Sequence, residues 1–309
     1  MKPQSIHVLL YPIGAPEAEV MACENSNSYI GMEQYRLIKA TGRFPGARLF
    51  QMDGAVAAED VLLIMLPLPQ VPLEIIERFN RVVYYYDDMS TVKAELPEYR
   101  LHFERVSVYI SPLADTAAQM NAAGLKKSYH VPWSMCPIEY SINKSEKPSM
   151  LVDMDGRDFT RYSIDHGFGF SQRLLGLGIQ PIAFKRFEPH CPAELHPRIR
   201  FIENMPRPEF LRFLSTMWAY ASGIRGSYEF CVLESAMSGC ALISLYGALP
   251  AEHWQRRSYL KYSGEAKFED TLRTMLASYD PLAVQQDALA LYPRDAKQQL
   301  EPILRENFG

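Results

Sequence analysis

The sequence predicts an α/β protein made of two doubly wound, Rossmann-like domains that face each other across a cleft. Three observations predict it. Apolar runs of strand length alternate with helix-period segments, the alternation restarts after a polar, proline-bearing stretch near residue 145, and 309 residues exceed one small core. With 48% apolar and 22% charged residues, the chain falls among packed globular proteins rather than disordered or fibrous ones.

In the first domain, residues 1–145, the strand-length runs are 6–13, 48–52, 60–66, 81–86 and 106–111. Between them "GMEQYRLIKAT" (31–41), "PLEIIERFN" (72–80) and "LADTAAQMNAAG" (113–124) carry apolar residues at helical spacing. Strands separated by helices pair in parallel and are covered on both faces. The second domain, residues 146–309, repeats the pattern. It has a strand at "MLVDM", a helix around 164–176, strands at "QPIAFKRF" and "IRFIEN", a helix at "RPEFLRFLSTMWAY", then a strand in "AYASGIRGS" and another at "CALISL". Mixed-charge helical segments from 265 onward close this domain. In such sheets ligands sit beyond the carboxyl ends of the strands, so the chemistry is expected there.

Several classes are set aside. The apolar N-terminal run is broken by Pro12 and Gly14 and reads as a first strand, and "VLLIMLPLP" (61–69) is too short to cross a bilayer. Five scattered cysteines without a CxxC pair suggest neither a disulfide framework nor a zinc ribbon, and fit a reducing cytoplasm. His190, Cys191 and His196 lie in a proline-rich loop without a fourth ligand, so no metal site is expected. No G-x-S-x-G elbow or Walker loop is present. The net charge of −4 gives no global attraction to polyanions, so any nucleic-acid contact would need a local basic patch.

The most informative stretch is "GSYEFCVLESAMSGC" (226–240). It places Glu229 and Glu234 among apolar residues at a strand-to-helix junction, and a carboxylate buried there needs a partner. Helix-start N–H groups and the helix dipole favour a phosphate, and Glu234 is placed to accept hydrogen bonds from a ribose diol. The same residues would also serve a purely structural turn, with Glu234 complementing the dipole and Glu229 solvated. A second strand, "RVVYYYDDMS" (81–90), delivers Asp87 and Asp88 at its carboxyl end; adjacent residues of an extended chain point to opposite sides, so one of them faces a substrate. The alternative is a turn in which the aspartates cap backbone groups.

This pattern resembles the GT-B glycosyltransferases, whose signature has a glutamate opening "E-A-M-A-C-G-x-P-V"; here "ESAMSGCALI" puts Glu234 at the ribose-binding position. The family's earlier glutamate, eight residues upstream, falls on Gly226. The spacing of Ser227, Glu229, Phe230, Leu233, Glu234 and Gly239 is similar to phage members, in particular the DNA α-glucosyltransferases of T-even phages. The resemblance implies a donor site formed by Glu234, Ser227, Phe230, Cys231, Val232 and Leu233, with Glu229 lining the sugar or phosphate side. It implies Arg157 in "DMDGRDFTRY" as one arm of the diphosphate clamp; Tyr162 stands near the place of the family's lysine, and Arg161 is the nearest substitute. "NSYIGMEQYR" (27–36) takes the place of the glycine-rich loop, with Gly31 approaching the donor phosphates. Asp88, with Asp87 in place of a histidine, is then the group that orients or deprotonates an acceptor hydroxyl.

The expected activity is a retaining transfer from a nucleotide sugar, UDP-glucose or similar, without a resident cofactor or required metal. The expected acceptor is a hydroxymethylated pyrimidine in phage DNA, which would place the protein in the host cytoplasm. Lys126, Lys127, Lys185, Arg186, Arg256, Arg257 and Lys261 are the basic residues available for phosphates, and Tyr29, Tyr84 and Trp133 the stacking surfaces for a flipped base. Against DNA, residues 1–146 carry 13 basic and 17 acidic residues. The alternatives are a cell-envelope glycan or lipid-linked acceptor, a nucleotide-sugar epimerase, or a silent binding protein on the same fold.

Overall fold

The computed structural model describes residues 5–22, 26–44, 46–85, 100–112, 114–122, 127–134, 140–154, 161–222, 230–245, 259–262, 267–291 and 295–308. The chain divides into two compact units, residues 1–135 with 292–309 and residues 136–291.

The first unit holds β1 (Ile6–Leu9), α1 (Glu17–Ala22), α2 (Ser26–Ala40), β2 (Arg48–Leu49), β3 (Val61–Ile64), α3 (Leu73–Ile76), β4 (Arg81–Tyr85), α4 (Arg100–Arg105), β5 (Val108–Ser111), α5 (Ala114–Ala122) and β6 (Ser128–His130). Its six parallel strands run in the order β2-β1-β3-β4-β5-β6. The apolar runs become strands because both faces are covered, and every residue of β1, β3 and β5 is buried. One core cluster joins Leu62, Ile64, Val82 and Tyr84 of the sheet to Ile75, Ile76 and Phe103 of the helices.

The second unit holds β7 (Ser149–Asp153), α6 (Arg161–Gly176), β8 (Gln180–Phe184), β9 (Arg200–Ile202), α7 (Arg207–Thr216), β10 (Ala219–Ser222), α8 (Phe230–Met237), β11 (Ala241–Ser244), β12 (Tyr259–Lys261), α9 (Lys267–Ala277) and α10 (Pro281–Leu291). Its parallel sheet has the order β12-β11-β10-β7-β8-β9. Helix α6 packs on β7 and β8, and α8 packs on β10 and β11. Right-handed crossovers that run in opposite directions from the central pair put these helices on opposite faces.

Three expectations change. The domain boundary lies at residues 135/136 instead of 145, and the closing helix α11 (Leu300–Phe308) belongs with the first unit, not the second. The reason is the contacts that segment makes: Arg43 pairs with Glu301, Lys127 and Tyr129 reach Glu306, and Lys297 is buried against Tyr85. The helix expected through Tyr220 ends at Thr216, because residues 219–222 are taken into the sheet as β10.

Candidate functional site

The second sheet reverses its winding between β7 and β10, and the carboxyl ends of these two strands mark the crevice where α/β sheets bind ligands. Asp153 ends β7 and is the register partner of Ser222, which ends β10 and is in turn the partner of Ser244, which ends β11. Three polar side chains therefore stand in a row where apolar strands finish, all almost fully buried. Asp153 is held in place by the Tyr220 hydroxyl, which donates to its Oδ2 at 2.9 Å. Tyr220 lies two residues before Ser222 on the same face, so one strand supplies both the row and the group that orients it.

Beyond β10 the chain enters α8, where Glu234 is the fifth residue and only 4% exposed. Its partner is Arg207, the first residue of α7, which donates through Nε to Glu234 Oε1 at 2.7 Å and through a terminal nitrogen to the Tyr140 hydroxyl at 3.3 Å. A charge-assisted bond of this length between two largely buried side chains fixes the carboxylate in place. Lys144 secures the two helices that carry the pair. Its Nζ donates to the carbonyls of Leu214 and Met217 at the end of α7 and of Ser238 just past α8, where the helix dipoles are negative. Burial pulls the Lys144 pKa down, and the neighbouring Cys240 opposes this.

The small-residue turn after α8 has a defined geometry. Gly239 N–H bonds to the Ala236 carbonyl and Cys240 N–H to the Ser235 carbonyl, the paired bonds of a Schellman motif. Gly239 has φ +77°, and a Cβ there would lie 2.9 Å from the Pro281 carbonyl, so both backbone angle and space require glycine. The helix can therefore stop within two residues and return as β11 beside β10.

Of the residues singled out from the sequence, Asp87, Asp88, Lys126, Arg157, Ser227, Glu229, Arg256 and Arg257 lie outside the described residues. Arg161 opens α6 and Phe230 opens α8. Cys231 is partly exposed, whereas the side chains of Val232 and Leu233 are in the core, so Val232 can offer a ligand only its helix-start backbone N–H, and Leu233 is a packing residue. Gly31 is not in a loop: it is the sixth residue of α2, and a Cβ there would come within 2.5 Å of Leu10 Cδ2. It is a close-packing glycine between a helix and the end of β1. The sequence reading missed Arg207, Asp153, Tyr220 and the serine row. Only Asp153 carried a visible signal, as the acid that ends an apolar run.

The remaining titratable clusters sit elsewhere. His196 contacts Glu188 at 2.9 Å, and Cys191 Sγ donates to the Pro192 carbonyl. Among the described residues no group of three His, Cys, Asp or Glu side chains is placed to hold a metal ion. No described helix is long and apolar enough to cross a membrane.

No protein-family model and no curated protein sequence matches the chain. Solved structures do. The chain is similar to sucrose-phosphate synthase from Thermosynechococcus elongatus over 99% of both chains, with a TM-score of 0.68 and 12% identity. It is similar to AviGT4, a glycosyltransferase involved in avilamycin A biosynthesis, over 99% of this chain and 98% of that one, with a TM-score of 0.63 and 10% identity. A UDP-forming α,α-trehalose-phosphate synthase from Burkholderia xenovorans matches 92% of this chain with 80% of its own, at a TM-score of 0.58 and 10% identity. The fold is GT-B. Within that GT-B fold the Asp153–Ser222 switch point and the Glu234–Arg207 pair both belong to the second sheet and its helices.

Proposed function

We propose that this protein is a retaining glycosyltransferase that moves a sugar from a nucleotide-sugar donor to a hydroxyl acceptor. The observation that carries the reading is the buried Glu234–Arg207 pair, in which Glu234 lies on the helix that follows the switch-point strand, at the place of the family's ribose-binding glutamate, and Arg207 opens the helix before that strand. Glu234 accepts the ribose hydroxyls, and Arg207 fixes its orientation and charge. The donor diphosphate lies against the first N–H groups of α8 and Arg157, where the helix dipole and a guanidinium take up the charge that develops as it leaves. The anomeric carbon–oxygen bond to the diphosphate breaks, and the acceptor oxygen forms the new bond on the same face. The acceptor proton passes to Asp88 or to the departing phosphate oxygen. The reading asks for no metal and no resident cofactor, since cationic side chains and backbone amides carry the diphosphate.

The finer assignment is UDP-glucose as donor and a hydroxymethylated pyrimidine of phage DNA as acceptor, acting in the host cytoplasm. The spacing Ser227, Glu229, Phe230, Leu233, Glu234 and Gly239 supports it. A second reading, an envelope glycan or lipid-linked sugar as acceptor, is favoured by the excess of acidic over basic residues in the first 146, the half that binds acceptors in this fold family. One experiment separates them: incubation with a panel of nucleotide sugars and DNA containing hydroxymethylcytosine or hydroxymethyluracil, followed by mass spectrometry of the released nucleosides. A gain of one sugar on either base is the expected result. Donor turnover without such a gain discards the DNA acceptor and keeps the transferase.

A further inference from the structure

We propose that Arg186 binds an oxygen of the donor diphosphate, held ready for it by Phe184, Phe187 and Asp153. The inference rests on the nucleotide-sugar reading above and adds a phosphate contact that no motif in the sequence marks.

The position is the first argument. Arg186 follows β8 by two residues, and β8 is the neighbour of β7, whose last residue, Asp153, stands at the switch point of the second sheet. The guanidinium is therefore at the carboxyl edge, on the side of the sheet where a ligand is expected. Its immediate neighbour Lys185 is differently placed. That ammonium is paired with Glu203, just past β9, while Arg186 reaches the other way, toward β7.

The second argument is how the side chain is held. The Arg186 guanidinium lies over the Phe184 ring at 4.8 Å from its centroid and over the Phe187 ring at 5.0 Å. Two aromatic contacts remove most of the rotamer freedom of a long side chain before any ligand arrives, which lowers the ordering cost of binding. A third group aims it: Asp153 Oδ1 is 3.7 Å from a terminal nitrogen, and Asp153 is itself fixed by the Tyr220 hydroxyl on Oδ2. At 3.7 Å the carboxylate orients the fork without a hydrogen bond of ordinary length.

Exposure is the third argument. The Asp153 side chain is 5% exposed and the Arg186 side chain 36%, so the cation extends from a buried acid toward solvent. A planar fork of N–H donors held in this way suits two oxygens of a phosphate better than a freely rotating ammonium does.

The test is calorimetric titration with UDP, ADP, GDP, CDP and dTDP and with the matching nucleosides, on wild type, Arg186→Gln and Arg186→Lys. For the diphosphate that wild type binds, R186Q is expected to weaken binding about 10- to 100-fold, as loss of a hydrogen bond to a charged group predicts. The nucleoside affinity stays unchanged, because the loss belongs to the phosphates. R186K recovers part of it, since a point charge replaces the fork. Thermal denaturation of both variants at the wild-type midpoint confirms that the loss is local. If R186Q binds the diphosphate as wild type does, the assignment is overturned and the transferase reading stands. If wild type binds no nucleoside diphosphate, the nucleotide-sugar reading fails first and takes this one with it.

Discussion

The two sheets are built on related plans and differ in what they place at the switch point. In the first unit the order β2-β1-β3-β4-β5-β6 reverses between β1 and β3, whose last residues Leu9 and Ile64 are register partners. The residues that follow, Leu10 and Met65, are also buried and apolar. In the second unit, counting from its own first strand, the order is 3-2-1-4-5-6, and the corresponding partners are Asp153 and Ser222. Both units close a helix tightly over this point. A Cβ on Gly31 would meet Leu10, and a Cβ on Gly167 of α6 would lie 2.5 Å from Met154 Cγ. The close-packing device is shared while the polar groups are not, so packing fixes where the crevice lies and the strand-end residues decide what it handles. Among the described residues, the polar side chains at a switch point are those of the second sheet.

The sharpest way to break that contrast is to remove the partner of the buried carboxylate. Arg207→Met leaves Glu234 buried without its guanidinium and is expected to cost about 3–5 kcal/mol, as for other buried pairs broken from one side. Urea denaturation reads the cost. Arg207→Met combined with Glu234→Gln should regain part of it, because the pair is then removed from both sides. Turnover should be lost in both variants and also in Glu234→Ala. A single variant that denatures at the wild-type midpoint would show that the pair is solvated and would remove the contrast between the units.

The next test sharpens the shared device. Gly31→Ala and Gly167→Ala each force a methyl group into an occupied space, and overpacking of this kind costs about 1–3 kcal/mol. Gly167→Ala is expected at the lower end, because the unbranched Met154 side chain can turn aside where Leu10, branched at the contact, cannot. Thermal midpoints of the two variants check the order; a reversed order would mean that the two helices do not seat in the same way.

These glycines also show how far the sequence is readable. The alternation of strands and helices was legible because fully buried parallel strands are written as continuous apolar runs such as "VLLI" and "MLVD". Glu234 was legible for the opposite reason, as a carboxylate in an apolar run that requires a partner. The partner itself was not legible: Arg207 is 27 positions away, and only the packing of α7 against α8 brings them together. Gly31 was assigned to a phosphate loop because a glycine after a first strand reads the same in a loop and in a tightly packed helix. The return of the C-terminal helix to the first unit had no signal either. Helical periodicity says that one face is buried and does not say against which sheet.

Lys297 gives the smallest expected effect and carries the comparison to the rest of the first unit. In a segment that reads as a mixed-charge surface, it is fully buried. Its Nζ donates to the Tyr85 hydroxyl and to the Pro132 carbonyl at 3.1 Å, with the Tyr85 and Trp133 rings at 4.4 and 5.2 Å from it. Burial holds its pKa well below the ordinary lysine value, against the pull of Glu33 on α2, while burial raises the Tyr85 phenol well above its own, so the phenol stays protonated throughout. Between the folded pKa and 10.5 the unfolded lysine binds a proton that the folded one does not, so the stability from this residue rises with pH. Wild type compared with Lys297→Met should therefore gain stability on going from pH 8 to pH 9, by at most about 1.4 kcal/mol per pH unit. Chemical denaturation of both proteins at the two pH values measures it. Because Lys144 in the second unit is only partly buried and has Cys240 beside it, Lys144→Met should show the same sign with a shallower slope. A steeper slope for Lys144 would place the more strongly desolvated cation in the second unit and reverse the order that burial predicts.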